Sequence, residues 1–470
     1  WHVESAESAI YSTAWDHVFI GWNPHRTHPD DTYHQVIGRA EQVFAEGLPL
    51  RQVLERRLMS RGTFYVDEAT KRMDVCLAGG QDLTKDGEAP RVEAAVRSVL
   101  WDCRGSYVMT KGLRFRYAAN RAQEGAAVFS GRGNQVADCV FEKTNGVGAV
   151  FTGEDIQVRT CIFVENGQLG FSANKSHRLR MSDCTVRGNN AKGFDRGWEA
   201  GGTKLVLCRG AILENSTFVE NHGPGIWFDI GNEDCEVRNC LIANNEDAGI
   251  FDEISFGLQA HDNVVLENGL ADTPGSWGAG GGICVSSAPG AVIERNLLLG
   301  NREGISFREQ KRTTPRIDAK QGSTEESVWN HDEIVRHNVL AFNRDAQLWG
   351  WFDMDDERNW SANTQEQHGR PISLESLHFN LSNNIYGAAG SPPGGLFHWG
   401  TSWKRNTAWN TPDEVYRAIG LEQNSKIASI QFADYAARDL RVPADSRLLT
   451  DDCYPHGTVP EVKLSEMPHK

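Results

Sequence analysis

Two short phrases in the chain end in a carboxylate. Gly225 to Asp229 reads GIWFD, and Gly249 to Glu253 reads GIFDE. Counted from the glycine, Asp229 and Glu253 occupy the same position, 24 residues apart. In a strand, successive side chains point to opposite faces, so Ile226 and Phe228 face one way while Trp227 and Asp229 face the other. If the two phrases lie on neighbouring parallel strands, about 4.8 Å apart, their carboxylates stand about 5 Å apart, beside the exposed rings of Trp227 and Phe251. Two carboxyls at that separation suit double-displacement glycoside hydrolysis; a wider gap suits inversion. One attacks the anomeric carbon, and the other protonates the leaving oxygen and later activates water. Like charges this close push one pKa up, as an acid catalyst requires. The same pattern also arises by chance on an acidic surface, and the chain has 63 Asp and Glu. Asp252 stands next to Glu253, and a register slip of one residue would present Asp252 instead.

The two phrases can be neighbours only if the chain repeats, and it does. Segments beginning at Cys139, Cys161, Cys184, Ser216, Cys240, Asn263, Asn296 and Asn338 align, with steps of 22, 23, 32, 24, 23, 33 and 42 residues. A second column holds Asn166, Asn189, Asn221, Asn245, Asn268, Asn301 and Asn343. Asparagine tolerates the left-handed backbone of a turn, and its amide can bond the Asn of the next coil. The apolar runs between the columns are too short for helices and right for small strands. The expectation is an all-β chain, a parallel β-helix with one coil per 22–24 residues. The Cys column then packs inside as small reduced hydrophobes, with Cys235, Cys284 and Cys453 outside it. A leucine-rich repeat has a similar period but needs an L-x-x-L-x-L-x-x-N pattern and a helical half, and neither is present. Each coil continues into a Gly-led strand: GFSAN from Gly170, GFDRGWE from Gly193, GIWFD, GIFDE, GICVS from Gly282 and GISFRE from Gly304. These should stack as rungs of one sheet.

The ends differ. Residues 1–100 read as an N-terminal segment with an inserted small β-subdomain, residues 101–390 as the β-helix carrying the groove, and residues 391–470 as a C-terminal coil and cap. In the first, GTFYVD and RMDVCL read as strands joined over Glu68 to Lys71, and IGRAEQVF as a further strand. Residues 308–333 are polar and non-periodic, a long exposed loop. TPDEVYRAIGLE carries an N-cap Thr411 and Pro412 at the first helical position, so it reads as a short C-terminal helix closing the last coil. The net charge of −15 argues against nucleic acid, and no run approaches the roughly 20 apolar residues of a membrane span. No CxxC pair is present among the 10 cysteines, which argues against zinc. The chain opens at Trp1, so a signal peptide would already have been removed.

The stretch GIWFDIGNEDCEVRNCLIANNEDAGIFDEISFG resembles the catalytic region of right-handed parallel β-helix carbohydrate-active enzymes, most closely the glycoside hydrolase family 120 β-xylosidases. The resemblance is close over Trp198 to Gly257 and loose over the rest of the solenoid. It implies a right-handed β-helix and a retaining mechanism, with Asp229 as nucleophile and Glu253, in FDEISFG, as general acid/base. In GWEAGGTK it places Glu199 near the sugar. Asp252 departs from the family, which has an apolar residue there. Trp198, Glu199, Trp227, Asp252, Arg308 and Glu309 are the candidate substrate-binding residues. His222 reads as a turn residue, and Trp349, Trp351 and Asp353 as a subsite wall or loop anchor. Three functions stay open: a retaining glycosidase on plant-type β-linked sugars; a pectate-type polysaccharide lyase; and a non-catalytic carbohydrate-binding solenoid. A lyase would hold calcium through Asp229, Asp252 and Glu253, with Lys204 or Arg308 offered as base. The expected partner is an oligo- or polysaccharide, with oligomers allowed. No cofactor is required unless calcium serves the lyase. A secreted or periplasmic location follows from the substrate.

Overall fold

The computed structural model describes residues 1–5, 9–19, 36–85, 89–271, 280–310, 312–318, 320, 325–351, 377–388, 394–400 and 406–460. From Trp101 onward the chain winds into three long sheets of 12, 10 and 11 strands. Within each sheet every strand pairs in parallel with its counterpart one coil away, except the terminal Asn406–Trp409 strand, which runs antiparallel to Phe397–Gly400. One coil therefore gives one strand to each sheet, as the 22–24 residue step requires. The site lies on the 12-stranded sheet. Its successive rungs include Leu169–Asn174, Gly201–Val206, Ile226–Asp229, Ile250–Glu253, Gly281–Ser286, Glu303–Arg308 and Ala346–Trp351.

The sequence columns become ladders inside the solenoid. Asn166 Nδ2 donates to Asn189 Oδ1 (3.0 Å), Asn189 to Asn221 (2.9 Å), Asn221 to Asn245 (2.8 Å) and Asn245 to Asn268 (2.9 Å). Each amide also caps a backbone carbonyl, as Asn245 Nδ2 does with Phe218 O at 3.0 Å. Thus every corner amide is satisfied in a dry interior, where an unmade bond would be expensive. The left-handed residue is not the asparagine but the one before it: Glu165, Glu220, Asn244 and Glu267 have φ between 52° and 56°. The Cys column is buried and all ten cysteines are free thiols. The aromatic rungs stack, with Phe141 and Phe163 centroids 4.8 Å apart at 6°.

These corners also explain the glycine that opens each rung. A Cβ on Gly225 would lie 2.7 Å from Asn245 Nδ2 and 2.8 Å from the Gly249 carbonyl oxygen; one on Gly249 would lie 2.7 Å from Gly282 O. The Asn ladder and the Gly row fit against each other, and each needs the other.

The strands Thr63–Asp67 and Arg72–Cys76 form the expected hairpin inside a five-stranded N-terminal sheet. Val43–Ala45, within IGRAEQVF and its next residue, joins a three-stranded sheet. This part packs on the solenoid through Phe44 stacked on Tyr117 and through Ile37 against Ala122 and Phe194. The helix Pro412–Ile419 has a full capping box between Thr411 and Glu414 and ends on Gly420. Two expectations need correction. GFDRGWE is not a rung; the strand of that coil is Gly201–Val206. The 308–333 segment is not simply an exposed loop, since Arg312–Thr314 and Glu326–Val328 pair as a hairpin.

Candidate active site

Pairing of Ile226–Asp229 with Ile250–Glu253 sets Trp227 opposite Phe251 and Phe228 opposite Asp252. The next pair in that register is Asp229 with Glu253, on adjacent rungs and the same face. Ser286 lies opposite Glu253 on the following rung, and Arg308 opposite Ser286 on the one after. Both acids are the last residues of their strands. Each is followed by an isoleucine in the left-handed region, Ile230 at φ 57° and Ile254 at φ 41°. A β-branched residue resists that conformation at roughly 1–3 kcal/mol, so the coil holds the bend by its packing. The bend ends both strands at the same height and so sets the two buried carboxylates level with each other.

Asp229 is 6% exposed. Its Oδ2 is ion-paired with Lys204 Nζ at 2.8 Å, and Lys204 reaches Glu199 at 3.2 Å. The Lys204 ammonium also lies 4.2 Å above the Trp227 ring, a cation–π contact. Burial would lower the Lys204 pKa, but Asp229 and Glu199 together outweigh it and the group is pushed up. Asp229 Oδ1 has no hydrogen-bond partner among the described residues. One oxygen is therefore anchored, and the other keeps its lone pairs.

Glu253 is 3% exposed. Trp227 Nε1 donates to its Oε2 at 3.2 Å, and Arg312 Nη1 is ion-paired with its Oε1. Burial pushes the Glu253 carboxyl up, the Asp229 charge adds to this, and Arg312 and Lys204 oppose it; the net displacement is upward. Two carboxyls on neighbouring rungs thus sit in different settings. One is tied to a buried ammonium, and the other is biased toward holding a proton.

Of the residues singled out in the sequence, Asp229, Glu253, Glu199 and Trp227 meet at this point. The rings of Trp227 and Phe251 are not exposed; they face outward but are buried against each other, centroids 5.3 Å apart, with Ala248 and Cys284. Asp252 does not face the groove. It points into the solenoid with both oxygens unpartnered among the described residues, and burial followed by the Glu253 charge raises its pKa to about 8. It cannot touch substrate or join Asp229 and Glu253 around calcium. Glu309 is also interior, accepting from the Asn330 N–H. Arg308 stays on the outward row, two rungs beyond Glu253. Trp198 is half-buried, packed on the cluster of Ile37, Ala122 and Phe194. His222 is hydrogen-bonded to Glu246 at 2.8 Å, a turn contact. Trp349 stacks on His398 (4.6 Å) on later rungs. Asp353 and the Trp351 side chain lie outside the described residues.

Two residues carry more of the site than the sequence assigned them. Lys204 was available only as a lyase base, because reading GFDRGWE as the rung left its place unassigned; with the true rung it lies opposite Trp227. Arg312 arrives from a separate excursion and had no periodic signal.

A cavity of about 1180 Å³ lies elsewhere, between the N-terminal sheets and the solenoid. Its charged lining is largely self-paired, as in Arg187–Glu220 (2.8 Å) and His222–Glu246 (2.8 Å), and it lacks the acid pair. Among the described residues no group of three or more His, Cys, Asp or Glu is placed to hold a metal ion. No described helix is long and apolar enough to cross a membrane.

A model of the right-handed β-helix region matches residues 104–196 and 125–297. No curated protein matches the chain. Among solved structures, XylC in complex with xylose is 13% identical over 84% of this chain and 75% of its own, with a TM-score of 0.52. The periplasmic alginate epimerase AlgG is 11% identical, covering 71% and 78%, TM-score 0.40. The GH87 α-1,3-glucanase of Streptomyces thermodiastaticus is 10% identical, covering 83% and 84%, TM-score 0.43. At 13% identity the likeness to XylC is one of fold, and with the family match it agrees with the stacked sheets: the chain is a right-handed parallel β-helix protein.

Proposed function

We propose that the protein is a retaining glycoside hydrolase acting on β-linked sugars, with a β-xyloside as the leading substrate. The observation that carries this reading is the facing pair Asp229 and Glu253. They end adjacent parallel rungs, whose backbones run about 4.8 Å apart, and a carboxyl separation close to that backbone spacing suits double displacement better than a site that holds water between its carboxyls. Likeness to XylC, whose structure holds xylose, adds a pentopyranose to the candidates for the first subsite.

The residues divide the work as follows. Asp229 Oδ1 attacks the anomeric carbon while Lys204 holds Oδ2 and fixes the carboxylate plane. As the glycosidic C–O bond breaks, Glu253 gives its proton to the leaving oxygen. Glu253, now a carboxylate, takes a proton from water, and the water oxygen displaces Asp229 from the anomeric carbon. Two displacements return the original configuration. Trp227 steadies Glu253 through its indole N–H and also walls the site. The lyase reading loses ground because, of its two candidate bases, Lys204 is kept charged by two carboxylates and Arg308 lies two rungs beyond Glu253. A secreted or periplasmic enzyme fits this substrate class.

The test is a panel of aryl glycosides led by the β-xyloside, with phenol release followed for the wild type and Asp229→Ala. Release by the wild type, reduced by about 10⁴-fold or more in the variant, supports the assignment. Activity that survives in Asp229→Ala, or an unsaturated ultraviolet-absorbing product from a polysaccharide, would overturn it.

A further inference from the structure

The segment between Glu303–Arg308 and Ile334–Arg336 leaves the solenoid and returns across the end of the site strands. It is pinned there at several points. A Cβ on Gly231, two residues after Asp229, would lie 2.3 Å from the Pro315 carbonyl oxygen. The Ile317 N–H donates to Glu233 Oε1 at 3.1 Å, and Arg316 pairs with the same oxygen at 3.0 Å. The Arg316 guanidinium also covers the Phe256 ring at 3.9 Å. Glu233 and Phe256 follow the two catalytic strands, so the hairpin straddles both coils. From its first strand Arg312 reaches the 3% exposed Glu253, while its own side chain is 28% exposed.

This contact conflicts with a simple acid catalyst. A guanidinium on a carboxylate favours the ionised form, yet the first half-reaction needs Glu253 protonated. The second half-reaction needs the opposite. The charges facing Glu253 are Asp229 and Lys204 on the preceding rungs and Glu199 beyond Lys204. Arg312, with Gln310 beside it, comes from the excursion, and Arg308 lies on the outward row two rungs on. Behind the strand is Asp252. With Glu253 ionised, the acids Glu199, Asp229 and Glu253 face two close cations, Lys204 and Arg312. When Glu253 is protonated the close charges balance.

We propose that Arg312 is a positioning residue for Glu253, holding it as a carboxylate for the water-activation half of the cycle and yielding when the proton is loaded. This rests on the glycosidase reading above. The excursion is then part of the site: it carries the group that keeps a buried, crowded glutamate from staying protonated after the leaving group has gone. The bonds made and broken are those already given; Arg312 exchanges no proton.

The experiment uses the full chain, with Arg312→Ala, Arg312→Gln and Arg312→Lys, on phenyl and 2,4-dinitrophenyl β-xylosides. Loss of the cation should move the alkaline limb of kcat/KM to higher pH by about 1 unit or more. With the dinitrophenyl substrate, deglycosylation should become limiting. A burst of phenol should appear, and kcat and KM should fall together while kcat/KM holds. Arg312→Lys should keep the limb close to that of the wild type. A limb that stays put, or moves down, in both neutral variants overturns the proposal, whereas loss of a structural contact alone would lower activity without moving it. Glu253→Ala with azide separates the two ideas. Rescue, with a β-glycosyl azide product, supports the acid/base reading, so an unmoved limb then refutes Arg312 alone. Absence of rescue removes the reading on which the proposal stands.

Discussion

Asp252→Asn should make the protein more stable, and by an amount that depends on pH in a defined way. Asp252 is inside the solenoid between Phe228 and Val285 on the neighbouring rungs, with no partner for either oxygen among the described residues. Its carboxyl titrates at about 8 in the fold against an ordinary 3.8. The folded state therefore binds the proton more tightly than the unfolded chain does. Stability is unaffected by this group below pH ~4, falls by about 1.4 kcal/mol per pH unit up to about 8, and levels off above that. Against asparagine, which cannot ionise, the wild type should lose roughly 4 kcal/mol by pH 7 and somewhat more by pH 9. The amide adds N–H donors where no acceptor waits, but this offset is the same at every pH. The Asp252 charge also helps to raise the buried Glu333, so Asp252→Asn relieves part of that shift as well and the gap widens in the same direction as pH rises. Guanidinium unfolding followed by circular dichroism at pH 4.5, 6, 7.5 and 9 measures the gap. A gap that does not widen between pH 4.5 and 7.5 would show that the carboxyl is solvated, and would refute the inward placement of Asp252.

Three further outcomes are expected. Lys204→Met leaves Asp229 buried beside Glu199 without a counter-charge, so kcat/KM on the aryl xyloside should fall by about 30- to 5000-fold, a buried pair being worth roughly 2–5 kcal/mol when one partner is removed. Trp227→Phe keeps the ring but removes the N–H bond to Glu253, and kcat should drop about 10- to 100-fold with the chain still folded, as near-ultraviolet circular dichroism would confirm. Asn245→Ala removes the acceptor for Asn221 and the donor to Phe218 O and Asn268, and should destabilise by about 3 kcal/mol or more, read as a lower denaturant midpoint.

The ladders were legible in the sequence because they demand one residue type at one height in every coil. Cys139, Cys161 and Cys184, and Asn221 and Asn245, announce the period by themselves. Alternation within GIFDE already turned Asp252 away from Glu253, and strand pairing removes the slip that left the choice open. What alternation could not tell was cover: Trp227 and Phe251 face outward and are nevertheless buried. Lys204 was hidden by a false rung at GFDRGWE, since a glycine and a hydrophobe mimic the start of a strand while the real one begins at Gly201. Arg312 was illegible for a deeper reason. Its place depends on where an excursion lands, and that is set by contacts with Gly231, Glu233 and Phe256 from other coils rather than by any local pattern.

Coil length shapes the outside of this molecule as the ladders shape its inside. The coils that carry Asp229 and Glu253 run 24 and 23 residues, while those on either side run 32 and 33. In sequence the extra residues of both flanking coils fall between the column asparagine and the site strand, Asn189 to Gly201 and Asn268 to Gly281, and the hairpin bearing Arg312 comes back from the opposite corner. The two short coils with the acid pair are therefore bracketed, along the rod, by two long ones. Lengthening or trimming the neighbouring coils would change what surrounds the pair without disturbing a single rung of the core.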